Sequence, residues 1–266
     1  MYGQRHLHHF ISLLALLSLC TAAHAKPTTF KSERSYSYDI RIGSLTLGQA
    51  KVAIEQKRGK KRRIRVQAKI NLLGGGSMGV STRSTTWVDN SWKPVRSKWN
   101  WEIFGKKRRV DAKFGARKYD GRFYTGTRLK KRMQGKTPKR TQRINDLISV
   151  VPWLMSQPMR PGRILRTRAY TGMQLYRISA KVGQKEQMVV MGENRTVYPI
   201  HVTAVRRGKT RRITLWLDAK NRTPYKASFD LDFASEISLV LTQQNKSRLA
   251  RPFPAYRIDL KKFHLN

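Results

Sequence analysis

The chain has 266 residues, with 56 Lys and Arg against 15 Asp and Glu, which is a formal net charge of +41. Hydrophobic residues make up 39% and aromatics 9%, enough to build a core, so the charge does not imply wholesale disorder. One cysteine in the whole chain excludes a disulfide scaffold and a multi-cysteine metal site.

In chain order, the first feature is a leader. Arg5 precedes an apolar run from Phe10 to Leu19, too short for a permanent span, which needs roughly 20 residues. Ala23-His24-Ala25 follows at the place where a small-x-small cleavage site belongs. Residues 1–25 therefore read as a secretory signal peptide and residues 26–266 as a single β-rich envelope domain, periplasmic or secreted. Cys20 resembles the acylated cysteine of a lipoprotein box, but Leu19 stands where a small residue is wanted, so the outer-membrane lipoprotein is the weaker alternative. Cleavage after Ala25 leaves a mature chain without cysteine. No later stretch is apolar over the roughly 18 residues that a spanning helix needs.

Beyond the leader the pattern has period two. Tyr36, Tyr38, Ile40 and Ile42 alternate with polar neighbours, as do Ile64, Val66, Ala68 and Ile70, and then Val95, Trp99, Trp101 and Ile103. The same alternation returns at Ile213–Leu215–Leu217, Tyr225 to Phe233, Ile237–Leu239–Leu241 and Tyr256–Ile258–Leu260. Each run reads as a strand with one buried and one wet face. Turn signals separate them, at Gly43, Gly48, Gly59, 74–76, Asp120-Gly121, Gly126, Pro161-Gly162, Gly183, Gly208 and Asn221 to Pro224. The spacing predicts an all-β fold, a curved antiparallel sheet or half-open barrel of ten or more strands, with one short helix. That helix is expected over 145–155, capped by Asn145 or Asp146 and plugging the apolar face of the sheet, with Pro152 as a kink or stop. Residues 128–143 read as an exposed basic loop.

Cations gather around the turns. Lys57, Arg58, Lys60, Lys61, Arg62 and Arg63 form one cluster, and Lys106, Lys107, Arg108 and Arg109 a second. Arg128, Lys130, Lys131 and Arg132 open a third, and Arg206 and Arg207 a fourth that continues through Lys209, Arg211 and Arg212. Such a surface attracts polyanions by long-range steering. For an exported chain the expected partners are anionic envelope lipids, lipopolysaccharide or acidic polysaccharides. Nucleic acid is not the expected partner, since no helix-turn-helix, zinc-finger or RNA-recognition pattern is present.

Catalytic signals are thin. His201 reads as a strand histidine, Asp230 and Asp232 as an ordinary ion-pairing face, and residues 74–79 as a glycine-rich hairpin lacking the Lys-Ser/Thr of a phosphate loop. No catalytic residue, metal site or cofactor is assigned. Trp99 and Trp101 share one strand face and are the candidates for lining an apolar, lipid-accepting cavity.

Three segments carry a resemblance. Residues 38–50 (YDIRIGSLTLGQA) resemble the opening hairpin of the bacterial domain-of-unknown-function family 3108. Asn145-Asp146-Leu147-Ile148-Ser149, followed by Met159-Arg160-Pro161-Gly162, is similar to its central aspartate-led segment. Leu215 to Pro224 (LWLDAKNRTP) is similar to its late Trp strand and turn. The resemblance implies an exported β-rich protein, akin in architecture to curved-sheet envelope proteins such as periplasmic lipoprotein carriers, and it assigns no activity. The expectation is a non-enzymatic envelope protein that binds an anionic component through basic hairpin ends. The alternatives are an envelope-polymer hydrolase or transferase using Asp230, Asp232 or His201, and a purely structural protein. Mass spectrometry of the protein recovered from its host should find Lys26 as the first residue; an acylated Cys20 there overturns this expectation.

Overall fold

Alternating side chains lead most of the strands to bury one parity against a common interior. The computed structural model describes residues 33–56, 62–71, 79–115, 118–136, 143–231 and 234–247. The first eight strands are β1 (Glu33–Ile42), β2 (Leu45–Gln56), β3 (Arg62–Asn71), β4 (Gly79–Val88), β5 (Pro94–Ile103), β6 (Lys106–Phe114), β7 (Lys118–Thr125) and β8 (Arg128–Lys136). Then come β9 (Ile144–Asp146), the helix α1 (Val150–Met155), β10 (Ile164–Tyr170), β11 (Leu175–Val182) and β12 (Glu186–Val190). The last four are β13 (Glu193–Arg206), β14 (Lys209–Asp218), β15 (Pro224–Leu231) and β16 (Ala234–Ser247).

All sixteen belong to one sheet, ordered β8-β7-β6-β5-β4-β3-β2-β1-β16-β15-β14-β13-β11-β10-β9, with β12 pairing to β13 outside this path. The β9–β10 pair is parallel, and every other pair is antiparallel. The first and last described strands thus lie side by side mid-sheet. The predicted all-β class with one short helix holds.

The sheet curls without closing into a hydrogen-bonded barrel. Its β10 end lies instead on the inner face of β5–β7. Tyr170 makes the contact: its ring sits 6.3 Å from Trp99, 6.1 Å from Phe114 and 5.4 Å from Tyr119. Its hydroxyl donates to the Gly172 carbonyl at 2.6 Å. The ring occupies the space where a Cβ on Gly121 would stand. Gly121 is therefore mid-strand in β7, and the turn expected at Asp120-Gly121 is corrected: the glycine makes room for a ring. Gly48 is likewise within β2, its Cα pressed against the Lys69–Ile70 backbone of β3.

A buried polar node fastens the same overlap. Asp146, at the end of β9, is fully buried. Its carboxylate accepts from the hydroxyls of Thr86 on β4 and Ser97 on β5, and from the Ser149 N–H at 2.6 Å. Beside it the buried Asn145 donates to Thr167 on β10 at 2.9 Å and accepts from Arg143 at 2.7 Å. Burial raises the Asp146 carboxyl above the ordinary range, against the lowering pull of the hydrogen bonds from Ser149, Ser97 and Thr86.

This node corrects the helix reading. Residues 144–146 form a strand and 147–149 a turn, so α1 starts only at Val150, with Ser149 at the N-cap position. Pro152 falls in the first turn, where a missing N–H costs nothing. Every residue of α1 is buried, so it is the expected plug. The basic loop is corrected too: residues 128–136 are the edge strand β8, fully polar on its outer side and exposed for most of its length, while 137–142 lie outside the described residues. Cationic side chains along a free edge discourage pairing with a second sheet.

Five hairpins turn in two residues. Gly43-Ser44 and Gly126-Thr127 place glycine first, as the II′ geometry asks. Phe104-Gly105, Met191-Gly192 and Arg207-Gly208 have positive φ at both positions, which is the I′ geometry. That geometry favours Asn, Asp or Gly at its first position; a left-handed conformation costs other L-residues roughly 1–2 kcal/mol.

Replacing Asp146 with Ala removes the acceptor shared by the buried Thr86 and Ser97 hydroxyls and leaves them only each other, which should cost about 2–4 kcal/mol, read from urea denaturation. A folded pKa raised above the unfolded value of about 3.9 means a contribution that is full below that value and lost as pH rises through the folded one. The melting temperature of Asp146→Asn should accordingly fall less between pH 4 and pH 8 than that of the parent.

Candidate functional site

Antiparallel order decides which turns meet. Counting along the ladder, the turns at 43–44, 104–105, 126–127, 171–174 and 207–208 all fall at one end of the rolled sheet. Three of the four predicted cation clusters are carried there. Lys106, Lys107 and Arg109 begin β6, Arg128, Lys130 and Lys131 begin β8, and Arg207 and Lys209 flank the β13–β14 turn; all are exposed. Arg206 is half-buried. None of Lys106, Lys107, Arg128, Lys130, Lys131, Arg207 and Lys209 forms an ion pair among the described residues. Arg109 stacks over Tyr124 at 4.2 Å, with Asp111 at 3.9 Å. Cations on separate hairpins are thus brought together by topology at one pole.

Arg108 differs from its neighbours. It occupies the inner parity of β6, across the ladder from Trp101. Its Nε and one terminal nitrogen are buried with no hydrogen-bond partner, and burial lowers its pKa below the usual guanidinium value.

The other predicted cations have structural duties. Arg62 is 5% exposed, lies 4.5 Å over the Trp92 ring and donates to the Asn90 carbonyl at 3.2 Å. Arg63 and Arg65 both pair with the buried Glu55. Arg62 and Arg63 are therefore removed from the anion-binding set, because each already has a fold-internal partner. Arg132 is held by both oxygens of Asp120, at 3.1 and 2.9 Å. Lys57, Arg58, Lys60 and Lys61 lie outside the described residues.

Trp99 and Trp101 are 3% and 7% exposed, the first against Tyr170 and the second 6.0 Å from Phe123. They are core, not the walls of an open trough, because the β10 overlap covers that face. An open groove of about 800 Å³ exists at the opposite end, where Val95, Phe114 and Tyr119 meet Arg96, Lys118 and Lys136. His201 is exposed, with the Thr214 hydroxyl 3.4 Å from its Nδ1. Asp230 is exposed on β15, and Asp232 and residues 74–78 lie outside the described residues. Among the described residues no three His, Cys, Asp or Glu approach one another as metal ligands would, and no helix is long and apolar enough to cross a membrane.

The apolar tips were not foreseen. Leu45 is 60% exposed, Phe104 37% and Leu129 48%, each beside a turn of the cationic end. Phe-Gly set between Ile103 and Lys106 was the available signal, but only the register puts the three tips at one pole.

The fold defines a class: a rolled, unclosed antiparallel sheet with an internal helical plug. A solved β-barrel-like protein of domain of unknown function DUF1849, from Brucella abortus, has a similar fold, with a TM-score of 0.57 at 13% identity over 82% of this chain and 99% of that one. A Bacteroides fragilis protein with a YmcC-like fold aligns over 85% of this chain and 100% of its own, at 12% identity and a TM-score of 0.32. No curated protein matches the chain. Residues 37–242 match the model of a protein family of unknown function, DUF3108, and the chain belongs to that family.

The two kinds of arginine separate by experiment. Arg62→Ala should lower stability by about 1–3 kcal/mol, since a buried, stacked and hydrogen-bonded side chain is lost. Lys106→Ala should change it by less than about 0.5 kcal/mol. Paired urea denaturation curves test the contrast.

Proposed function

We propose that this is a non-enzymatic protein of the cell envelope that binds an anionic envelope component through the cationic end of its rolled sheet. The observation that carries the reading is the convergence of Lys106, Lys107, Arg109, Arg128, Lys130, Lys131, Arg207 and Lys209 at one pole, exposed and on separate hairpins. A net charge of +41 supports long-range attraction of polyanions, and the leader pattern in residues 1–25 supports an envelope location.

The arrangement favours breadth over fine recognition. The cations sit on long side chains at separate tips, with no shared second layer of hydrogen bonds to fix them. Each exposed charge contributes little alone and is screened beyond about 8 Å at physiological ionic strength. Binding is therefore a sum over many weak contacts.

Vesicles containing phosphatidylglycerol should bind the protein more tightly than neutral phosphatidylcholine vesicles, and the affinity should fall steeply from low to physiological salt. Replacing Lys106, Lys107, Lys130 and Lys131 with Ser should reduce both the affinity and its salt slope, with the melting temperature unchanged. Equal binding to anionic and neutral vesicles at low salt would falsify the proposal.

A further inference from the structure

Exposed apolar side chains stand at both ends of the sheet, with Val95, Ile164, Val189 and Met191 at the far one, but three of them coincide with the convergent cations. Leu45, Phe104 and Leu129 stand on three different hairpins, β1–β2, β5–β6 and β7–β8, all at the cationic pole. Phe104 stands at the first position of a I′ turn with φ of 47°, where Asn or Asp fits without strain. A bulky aromatic placed there is worse for the turn and gains only partial burial, at 37% exposure. Arg207 holds the equivalent position of the β13–β14 turn, with φ of 45°. Turn chemistry has thus been overridden twice at this pole, once by an aromatic and once by a cation, and once at the opposite end, by Met191.

Aromatic and leucine tips at an end that also carries exposed Lys and Arg match the chemistry of a bilayer interface. Apolar side chains enter the headgroup–acyl boundary while flanking cations meet lipid phosphates. A soluble acidic polymer needs the cations but has no use for the apolar tips. The turns themselves, residues 43–44, 104–105, 126–127 and 207–208, hold no acid, and the described acids nearest this end, Glu102, Asp230 and Glu236, are fewer than its cations.

We infer that the cationic pole is a membrane-docking face, which seats end-on against an anionic lipid surface with Phe104, Leu45 and Leu129 in the interface and the neighbouring Lys and Arg on the phosphates. This rests on the polyanion reading above and adds the partner, a bilayer, and the orientation. Arg108, half-buried just inside the rim with unpaired donors, is placed to take a phosphate that follows the tips inward.

Site-specific reporters test this in the full chain. With Cys20→Ser, a single introduced cysteine at Phe104→Cys, Leu129→Cys or Met191→Cys carries a polarity-sensitive fluorophore; Met191 is the I′ tip at the opposite end and serves as control. Circular dichroism and melting check that each labelled protein is folded. On phosphatidylglycerol vesicles the labels at 104 and 129 should shift to the blue and be quenched by interface-depth lipid quenchers, while the label at 191 should not. Phosphatidylcholine vesicles should give no such shift. With the reporter at 129, adding Phe104→Asn should raise the lipid concentration for half-maximal shift by about five-fold, from loss of one partly buried aromatic. The same substitution should leave the melting temperature equal or higher, since Asn-Gly suits the turn.

Salt-sensitive binding to phosphatidylglycerol vesicles or to inorganic polyphosphate, with the 104 label unshifted, overturns the docking face and leaves the polyanion reading standing. A shift at 191 without one at 104, or an equal shift on neutral vesicles, overturns it as well. Binding to neither vesicles nor polyphosphate removes both.

Discussion

A buried carboxylate sits where two distant parts of the sheet are brought face to face. Asp146 takes hydroxyl hydrogen bonds from β4 and β5 and a backbone hydrogen bond from its own turn, all inside the core. An isolated carboxylate there would be prohibitively costly, so the site is tolerable only because its oxygens are met on every side. A curled sheet that does not close by backbone hydrogen bonds needs another way to hold its overlap. Here the polar node and the Tyr170 ring together supply it, one by directional bonds and the other by close packing over Gly121.

The rest of the architecture follows from that overlap. Once the β9–β10 end lies on β5–β7, the interior must be filled, and α1 does so with a fully apolar turn and a half. The overlap also covers Trp99 and Trp101, which converts a potential trough into core. The far end of β5–β8 is left open, as the groove around Phe114 and Tyr119. The outer edge of β8 has no partner strand among the described residues, and its Lys and Arg discourage pairing with a second sheet.

Charge in this protein is divided by burial. Arg62, Arg63 and Arg65 are absorbed by Trp92 and Glu55 and act as parts of the fold. Arg132 is fixed to Asp120 across β7–β8. Apart from Arg109, the cations named at the hairpin tips form no ion pair among the described residues, so their mutual repulsion is relieved chiefly by solvent and salt. Placing them at one pole concentrates that unrelieved field on one surface. A field of this kind selects the sign of a partner much more strongly than its identity.

The local patterns were legible because they are local. Period-two alternation at Tyr36 to Ile42 or Ile213 to Leu217 states which parity is buried, whatever the strand's neighbours turn out to be. Glycines at 43, 126 and 208 mark turns because glycine takes a positive φ without the steric penalty of a Cβ. The cation clusters were visible for the same reason, as residues adjacent in the chain. Long-range pairings were not. Asp146 looks like a helix cap in sequence, since Asn-Asp before an apolar run is what a cap resembles, and only contact with Thr86 and Ser97, 60 and 49 residues away, makes it a node. Gly121 looks like a turn until the Tyr170 ring is set over it. Whether Arg62 faces a lipid or Trp92, and whether Leu45, Phe104 and Leu129 share a pole, are questions of register and sheet order. The physical reason is that a side chain's parity is set by its own strand, whereas its partner is set by how far the whole sheet curls.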